Sequence, residues 1–525
     1  WTAKLVAAIG SHPAVVSWSL SAAEAAAAVN FIQPNAIRGF CKWLSGRYSS
    51  VDAFNRTLFP DYWQGWLVDW SDLNTVDEQS PLPLQVAYAR YQRELHGSVL
   101  NAMVGQLRKQ VADAVLMAPL DDFHADDTIL SVVELQFSDC GLSDTAQLEA
   151  ALPVIMEGQK QPHRFMLRMS SDGSASARQL ATNANRMSLL VWQAYLYGAQ
   201  GIIWPQLYFK PGLQNAGVPL LPRYSANAAS ATPVPSLARA SMSDDVCQRQ
   251  LDCECALLAP PHLSGVNFAG MNDKQARLLM EDYRQAFRFL GIANVTVSAD
   301  VDLSSYKAIF APVLSLVDAG LLQRLIHFVE QGGLLVSGFG SAIFDVEGVV
   351  LRPAEAQLAE KLFGLRVAHS LPYADAEGLI VRMQDGRSVR AGYCCELLDL
   401  SDAVPMATYT NGPFAGETAL AVKLLGKGRV FYLGMRPKAS FYRYALADLA
   451  DQLDLRRPAF EVGSGVDIVS VKHGNEQSYA LSNTSADAVV VDWKRVRGID
   501  SITGRACRGR GVLTPGENLW VRFGG

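Results

Sequence analysis

Short apolar runs and helix-like amphipathic stretches alternate along the amino-terminal part of the chain. Runs rich in β-branched and apolar residues predict strands, and apolar positions that recur every three or four residues predict helices. Because these strands and helices follow one another in turn, the pattern favours a parallel α/β layout. The predicted strands lie near Ala14–Leu20, Ala114–Ala118, Leu130–Phe137, Leu152–Met156 and Gly201–Trp204, and the helices near Pro34–Tyr48, Leu84–Val111 and Ala175–Tyr197.

These strands are the expected content of a partial (β/α)8 barrel. A closed barrel needs eight strands, and we expect the missing ones to precede Trp1. Enzymes of this fold place their chemistry at the carboxyl ends of the strands. Glu157 directly follows the apolar run Leu152–Met156. It is therefore a candidate catalytic carboxylate, although an exposed glutamate at a strand end gives the same pattern.

Two further units are predicted after a stretch at 212–244 that is rich in Pro, Ala, Ser and Asn. The first alternates strands and helices again, which is typical of a doubly wound, flavodoxin-like sheet. From Ala459 onward, short alternating strands predict a small antiparallel β domain. The expected division is a barrel part at 1–215, a linker at 216–246, a flavodoxin-like unit at 247–455 and the β domain at 456–525.

Composition narrows the class of protein. The chain has 525 residues, of which 49% are hydrophobic and 18% charged, as in globular proteins with a large core. A net charge of -5 argues against a nucleic-acid or membrane-surface partner. No apolar run reaches the ~18 residues that span a bilayer. The sequence does not indicate where the protein is targeted, and we expect a cytoplasmic protein.

Three residue groups have both a chemical and a structural interpretation. Cys247, Cys253 and Cys255 could bind zinc with a fourth ligand, or they could be unbound thiols. The acidic segment 121–127, which includes His124, could bind a divalent cation or form a solvated loop. We predict neither a metal nor a cofactor. The tryptophans of the helical segment could form a platform for sugars or belong to the core: Trp43, Trp63, Trp66 and Trp70.

Two segments resemble sequences of glycoside hydrolase family 42, the bacterial β-galactosidases. Leu5–Trp18 (LVAAIGSHPAVVSW) resembles the family's approach to its fourth barrel strand. Phe40–Asn55 (FCKWLSGRYSSVDAFN) resembles the family pattern F-x-x-W-L-x-x-K-Y-G-x-(I/L)-x-x-L-N. The order of a barrel, a glutamine-amidotransferase-like domain and a small β domain is also similar. The resemblance implies a β-galactosidase-like glycosidase that acts on a carbohydrate substrate and forms a homotrimer.

The resemblance also implies two catalytic glutamates that work by a retaining mechanism. Val154–Gln159 resembles the nucleophile motif V-M-E-Q-Q, which makes Glu157 the implied nucleophile. The acid/base motif W-x-(I/V)-x-N-E falls on the segment that begins at Trp18. There, Ala22 and Ala23 occupy the Asn and Glu positions, and Glu24 serves as the acid/base after a shift of one residue. The implied substrate-binding residues are Trp18, Trp204 and Gln206.

The predicted site also departs from the family pattern. The family Asn that hydrogen-bonds the sugar 2-OH is absent, and the eighth-strand motif F-x-W-R becomes Pro205–Tyr208, which has no Arg. The family tryptophan shortly after the nucleophile is also missing, and Phe165 is the nearest aromatic residue. These differences leave an alternative open: a catalytically inactive relative that binds glycans or has a structural role.

Two features of the second unit bear on its role. A glutamine amidotransferase presents a nucleophilic Cys on a sharp turn, where this chain has Phe339, so we predict a structural unit. The apolar helix Leu321–Val329 can cover a face of the sheet or contribute to a trimer interface.

Overall fold

The computed structural model describes most of the second and third units and selected parts of the first. The described residues are 12, 15, 17–19, 34–60, 66–77, 79–113, 115–119, 135–141, 164–170, 199–203, 253–258, 273–297, 299, 301–372, 379–463, 465–473, 476–483, 485, 487–501 and 503–523.

Five strands form one parallel sheet in the amino-terminal part. Each strand pairs with the next one along the chain, as a (β/α)8 barrel requires. The predicted parallel layout is therefore confirmed, whereas the strand predicted over 152–156 lies outside the described residues. The strands are Trp18–Ser19 (β1), Leu116–Pro119 (β2), Leu135–Gly141 (β3), Arg164–Ser170 (β4) and Ala199–Ile203 (β5).

A helical unit lies between β1 and β2 in the chain. It contains the helices Pro34–Arg47 (α1), Val51–Leu58 (α2) and Leu82–Arg108 (α3), with a 3-10 turn at Trp70–Asp72. Ser50 caps α2, since its hydroxyl accepts a hydrogen bond from the Ala53 N–H at 3.0 Å. These helices enclose a hydrophobic core rich in aromatic side chains, which includes Phe40, Leu44, Phe54 and Tyr88.

The second unit is built around an eleven-stranded sheet. In chain order its elements are Cys255–Leu258 (β6), Asp273–Leu290 (α4), Asn294–Val297 (β7), Ala308–Ala311 (β8), Leu316–Val317 (β9), Ala319–Glu330 (α5), Leu334–Gly338 (β10), Phe344–Asp345 (β11), Pro353–Phe363 (α6), Leu365–Pro372 (β12), Ile380–Met383 (β13), Ser388–Leu400 (β14), Val404–Tyr409 (β15), Thr418–Leu425 (β16), Gly428–Leu433 (β17), Met435–Pro437 (β18) and Ala439–Gln452 (α7).

The sheet is half parallel and half antiparallel. Strands β7, β6, β8, β10 and β17 are parallel neighbours in that order. Beyond β17, the strands β16, β15, β13, β14 and β12 continue the sheet in antiparallel pairs, and β18 pairs with β14. The predicted doubly wound pattern thus covers only the parallel half. The antiparallel strands lack the continuous apolar runs of buried parallel strands, as the exposed positions of β13 and β15 show.

Two hydrophobic cores lie on opposite faces of this sheet. Because side chains alternate along a strand, Cys255 and Leu257 of β6 join one core, whereas Ala256 and Leu258 join the other. The apolar side chains of α5 are buried in the second core within the same chain. The helix therefore covers the sheet, and its apolar face supplies no evidence for a trimer interface.

The carboxyl-terminal part consists of two antiparallel sheets, in agreement with the predicted β domain. The strands are Glu461–Val462 (β19), Val466–His473 (β20), Glu476–Asn483 (β21), Val489–Asp492 (β22), Gly498–Asp500 (β23), Ala506–Cys507 (β24), Arg510–Leu513 (β25) and Asn518–Phe523 (β26). The strand orders in the two sheets are β19-β22-β25 and β20-β21-β26-β23-β24.

None of the described helices is long and apolar enough to cross a membrane.

Candidate functional site

The carboxyl edge of β1–β5 is the candidate site, because the strands are parallel and their carboxyl ends meet there. Trp18 of β1 is half-buried, and its N–H donates to the Val115 carbonyl at 2.8 Å. This places one predicted substrate-binding residue on a barrel strand. Ala22, Ala23 and Glu24 follow β1 in the sequence and lie outside the described residues.

The other predicted site residues also lie outside the described part of the chain. Trp204 comes directly after the last residue of β5, and Gln206 comes shortly after it. Both therefore follow the carboxyl end of β5 in the sequence, and their roles in substrate binding stay predictions. Glu157 precedes β4 in the sequence.

β4 pairs with β5, so it lies next to the last described strand of the parallel sheet. Its sequence, RFMLRMS, contains no carboxylate. Asp139 of β3 is in register with Arg168 of β4, which is in register with Ile203 of β5. Arg168 is not among the predicted site residues, because a basic residue within a largely apolar strand carries no distinguishing signal in the sequence.

Two of the four tryptophans that could form a sugar platform pack against the helical core. Trp43 is half-buried, its Nε1–H donates to Glu94 Oε2 at 2.6 Å, and the Arg47 guanidinium lies 5.2 Å from its ring centroid. Trp70 packs edge-on against Phe54. The core interpretation fits these two side chains.

Trp66 is the third tryptophan of this group that the structure describes. Trp66 stacks on Phe59 and remains 40% exposed, so its ring is partly open to solvent. Trp63 lies outside the described residues.

The turn after β10 stands where an amidotransferase would carry its nucleophile. Phe339 occupies this turn and is buried, and its phenyl ring has no nucleophilic atom. Beside it, Glu396 of β14 is fully buried and accepts a hydrogen bond from the Gly340 N–H at 3.0 Å. Glu396 is not predictable from the sequence, because a lone glutamate in a strand carries no distinguishing signal.

The cysteine group has the surroundings of structural thiols where it is described. Cys255 is completely buried in the core of the second unit, and this burial strongly raises the pKa of its thiol. A thiol with a raised pKa is a poor source of the thiolate that zinc requires. Cys247 and the acidic segment 121–127 lie outside the described residues, and no metal-ligand cluster is found within the described ones.

A groove of about 730 Å³ lies between α5 and the segment 301–307 of the second unit. Its basic side chains already have partners: Lys307 Nζ lies 2.9 Å from Glu254 Oε1, and Arg324 Nη2 donates to the Ala299 carbonyl at 2.7 Å. The groove is at the amino edge of the parallel strands, opposite the edge where this class of sheet binds ligands. We therefore do not assign it as a substrate site.

Two family models match this chain. Residues 1–212 match the β-galactosidase model of glycoside hydrolase family 42, and residues 267–456 match the model of the β-galactosidase trimerisation domain. The first match covers the whole described parallel sheet, and the second covers most of the eleven-stranded sheet.

Individual relatives are similar over different lengths. The β-galactosidase Pbg of Clostridium perfringens is 27% identical over 254 residues, which are 45% of this chain and 37% of that protein. The β-galactosidase LacZ of Heyndrickxia coagulans is 22% identical over 93% of this chain and 76% of its own length. The chain thus spans about a third of the first relative and three quarters of the second.

Solved structures share the fold. The β-galactosidase of Bacillus circulans sp. alkalophilus superposes with a TM-score of 0.82 at 17% identity, over 100% of this chain and 81% of that one. A glycoside hydrolase family 42 β-galactosidase of G. stearothermophilus, a catalytic mutant, gives a TM-score of 0.81 at 18% identity, over 99% and 80% of the two chains.

Proposed function

Since the chain belongs to glycoside hydrolase family 42, we propose that the whole protein hydrolyses terminal β-galactosides or related glycosides with retention of configuration. In such a mechanism one carboxylic acid protonates the leaving oxygen, and a second carboxylate ~5 Å away attacks the anomeric carbon. We assign the attack to Glu157 and the proton transfer to Glu24. Trp18, Trp204 and Gln206 are proposed to bind the sugar.

One observation carries the proposed reaction class, whereas the assignments of Glu157 and Glu24 rest on the resemblance of their segments to the family motifs. The β-galactosidase family model matches residues 1–212, and the strands β1–β5 inside this range pair in parallel without interruption. Their shared carboxyl edge is the place where this fold holds its chemistry. We also propose the domain boundaries given above and a flavodoxin-like class for the second unit, whose parallel strands support it.

The test is hydrolysis of aryl β-galactosides and related aryl glycosides by the chain and by Glu157→Gln. We expect the variant to lose roughly 10²-fold or more of the turnover, because the amide cannot attack the anomeric carbon. Glu461→Gln, an exposed change in the carboxyl-terminal domain, serves as the control and should keep full activity. Equal rates for the chain and Glu157→Gln would contradict the assignment.

Carbohydrate binding without hydrolysis is the second candidate. Ala22 and Ala23 stand at the acid/base motif, and β4 has no carboxylate beside β5. Loss of a general acid costs roughly 10²- to 10⁴-fold in rate. Calorimetry with galactosides distinguishes the candidates, because binding without turnover supports this one and measurable hydrolysis rejects it.

We also propose a homotrimer, which the match of residues 267–456 to a trimerisation domain supports. Multi-angle light scattering at micromolar concentration should give three times the 57.1 kDa mass of one chain. A monomer mass throughout the concentration range would refute this proposal.

A further inference from the structure

Glu396 is a buried carboxyl group that joins four elements of the second unit. Its Oε1 accepts hydrogen bonds from the Gly340 N–H at 3.0 Å and from the Ser370 hydroxyl of β12 at 3.1 Å. Its Oε2 accepts from the Tyr432 hydroxyl of β17 at 2.9 Å. Tyr409 of β15 receives the Glu396 N–H at 3.3 Å and donates to the Gly434 carbonyl at 2.7 Å.

No cation compensates this carboxylate among the described residues. The groups that face it from β15 and β17 are the neutral phenols of Tyr409 and Tyr432, and on β14 they are the thiols of Cys394 and Cys395. The turn after β10 contributes a backbone N–H and no charge. The three hydrogen bonds only partly offset the cost of burying a negative charge.

Two other ionisable groups lie on the strands that pair with β14, namely Arg436 on β18 and His369 on β12. Arg436 of β18 binds Asp282 of α4, with Nε 3.2 Å from the Asp282 Oδ2 atom. His369 of β12 is exposed to solvent. Burial therefore dominates, and it raises the pKa of Glu396 to about 7 against the opposing effect of the hydrogen bonds.

The strand that Glu396 holds lies at the edge of the sheet. β12 is the terminal strand, and its strand neighbour among the described residues is β14. Near Glu396, the pairing of β14 with β18 shifts register between Gly392 and Cys395. Ser370 provides the side-chain hydrogen bond from β12 to the buried carboxyl group.

We propose that Glu396 is a proton-controlled latch that fastens β12 and the turn after β10 to the sheet, and that loss of its proton loosens β12. In the latched state the carboxyl group is protonated and carries no charge, so its own O–H is the donor in one of the two hydroxyl contacts, and the Ser370 or Tyr432 oxygen accepts that bond. When the group ionises, opening of β12 lets water reach it. The latch is independent of the proposed hydrolysis, because it lies in the second unit.

The sign of the pH effect follows from the raised pKa. Both the closed and the opened states are protonated below the ordinary value of 4.5, so the latch is intact there. Between this value and the raised pKa of about 7, the opened state ionises first and stability falls as pH rises. Above the raised pKa, the stability that the protonated carboxyl group gives to β12 is completely lost.

Hydrogen exchange of the β12 amides tests the latch when the intrinsic pH dependence of exchange is divided out. From about pH 5.5 to about pH 8, we expect protection of β12 in the chain to fall roughly 10- to 30-fold. Glu396→Gln keeps the shape and cannot ionise, so its protection should change by less than about twofold. The control Glu417→Gln, at an exposed position, should behave as the unchanged chain.

Each outcome decides the proposal. An unchanged β12 protection in the chain, or the same fall in Glu396→Gln, would overturn it. If Glu396→Gln does not fold, Ser370→Ala replaces it. Removing this donor destabilises the ionised form, so the upper end of the transition should move to higher pH, and an unmoved transition also overturns the latch.

Discussion

At the scale of single residues, the contacts of Asn55 show why an amide side chain is needed at the end of the segment Phe40–Asn55. Its Nδ2–H donates to the Leu67 carbonyl at 2.7 Å, and its Oδ1 accepts from the N–H groups of Trp66 and Leu67 at 2.9 and 3.1 Å. The side chain is 7% exposed. One amide thus satisfies three backbone groups, two of them on the buried Leu67, and fixes the loop after α2, which neither a carboxylate nor an apolar side chain could do.

Asn55→Ala should release this loop. Leaving buried backbone groups unsatisfied costs about 1–3 kcal/mol, so we expect exchange of the Trp66 and Leu67 amides to accelerate roughly 10- to 100-fold. Asn74→Ala, an exposed change in the same unit, is the control. The role assigned to Asn55 is wrong if both variants exchange these amides at the same rate.

The two buried polar residues differ in how far the sequence could reveal them. Asn55 belongs to a local pattern and bonds to residues 11 and 12 positions away. Glu396 gathers partners that lie 56, 26 and 36 positions away. No local periodicity records such a convergence, because it depends on the order of strands in the sheet.

At the scale of elements, the hairpin that contains β11 docks on α3 of the helical unit. Arg90 of α3 binds Glu347 at 2.6 Å and the Val346 carbonyl at 3.0 Å. Gly348 has a φ of 79°, and a Cβ there would lie 2.9 Å from Val86 Cγ2. Glycine is therefore needed both for the turn and for the close approach.

A double-mutant cycle measures this docking. For Arg90→Ala and Glu347→Ala we expect a coupling free energy of about 1–2 kcal/mol, because the pair is charge-assisted and half-buried. The matched control is Lys361–Glu330, a pair at 3.0 Å whose side chains are 52% and 36% exposed, which should couple by less than about 0.5 kcal/mol. Equal couplings would show that the Arg90–Glu347 pair does not hold the hairpin.

Elements with strong periodicity were predictable. The helix Asp273–Leu290 and the strand Ala308–Ala311 are of this kind, because a wide apolar stripe or a fully buried run defines each. The strands from β12 to β18 were missed. Several of them combine exposed positions with register shifts, as β15 does, so their short alternations do not stand out from loops.

At the scale of the whole molecule, the carboxyl-terminal β domain is joined to the second unit through charged groups. Arg288 of α4 binds Glu281, and its Nε lies 3.5 Å from Asp467 Oδ1 of β20. Glu254 Oε2 accepts the Arg456 N–H at 2.8 Å, and Lys307 donates to the Asp454 carbonyl at 3.0 Å. These contacts tie the amino ends of β6 and β8 to the connection that leads into β19.

Arg288→Ala should weaken this joint strongly and in a pH-dependent way. The side chains of Arg288, Glu281 and Asp467 are only 13%, 11% and 18% exposed. Without the guanidinium, two buried carboxylates remain near each other, and breaking such a buried group costs about 3–5 kcal/mol. We expect the amides of β20 to lose protection accordingly, as measured by hydrogen exchange.

The pH dependence follows from Asp467. Burial raises the pKa of its carboxyl group, and Arg288 opposes this rise, so removing Arg288 should raise the pKa further. The loss in Arg288→Ala should therefore be largest where Asp467 would be ionised and shrink on acidification, as the carboxyl group takes up a proton. Adding Asp467→Asn should restore part of the protection at neutral pH.

Arg510→Ala is the control in the same domain, since Arg510 pairs with Asp492 at 3.2 Å and is 81% exposed. If Arg288→Ala behaves like this control, or if its loss is the same at all pH values, the charged joint does not hold the β domain in place.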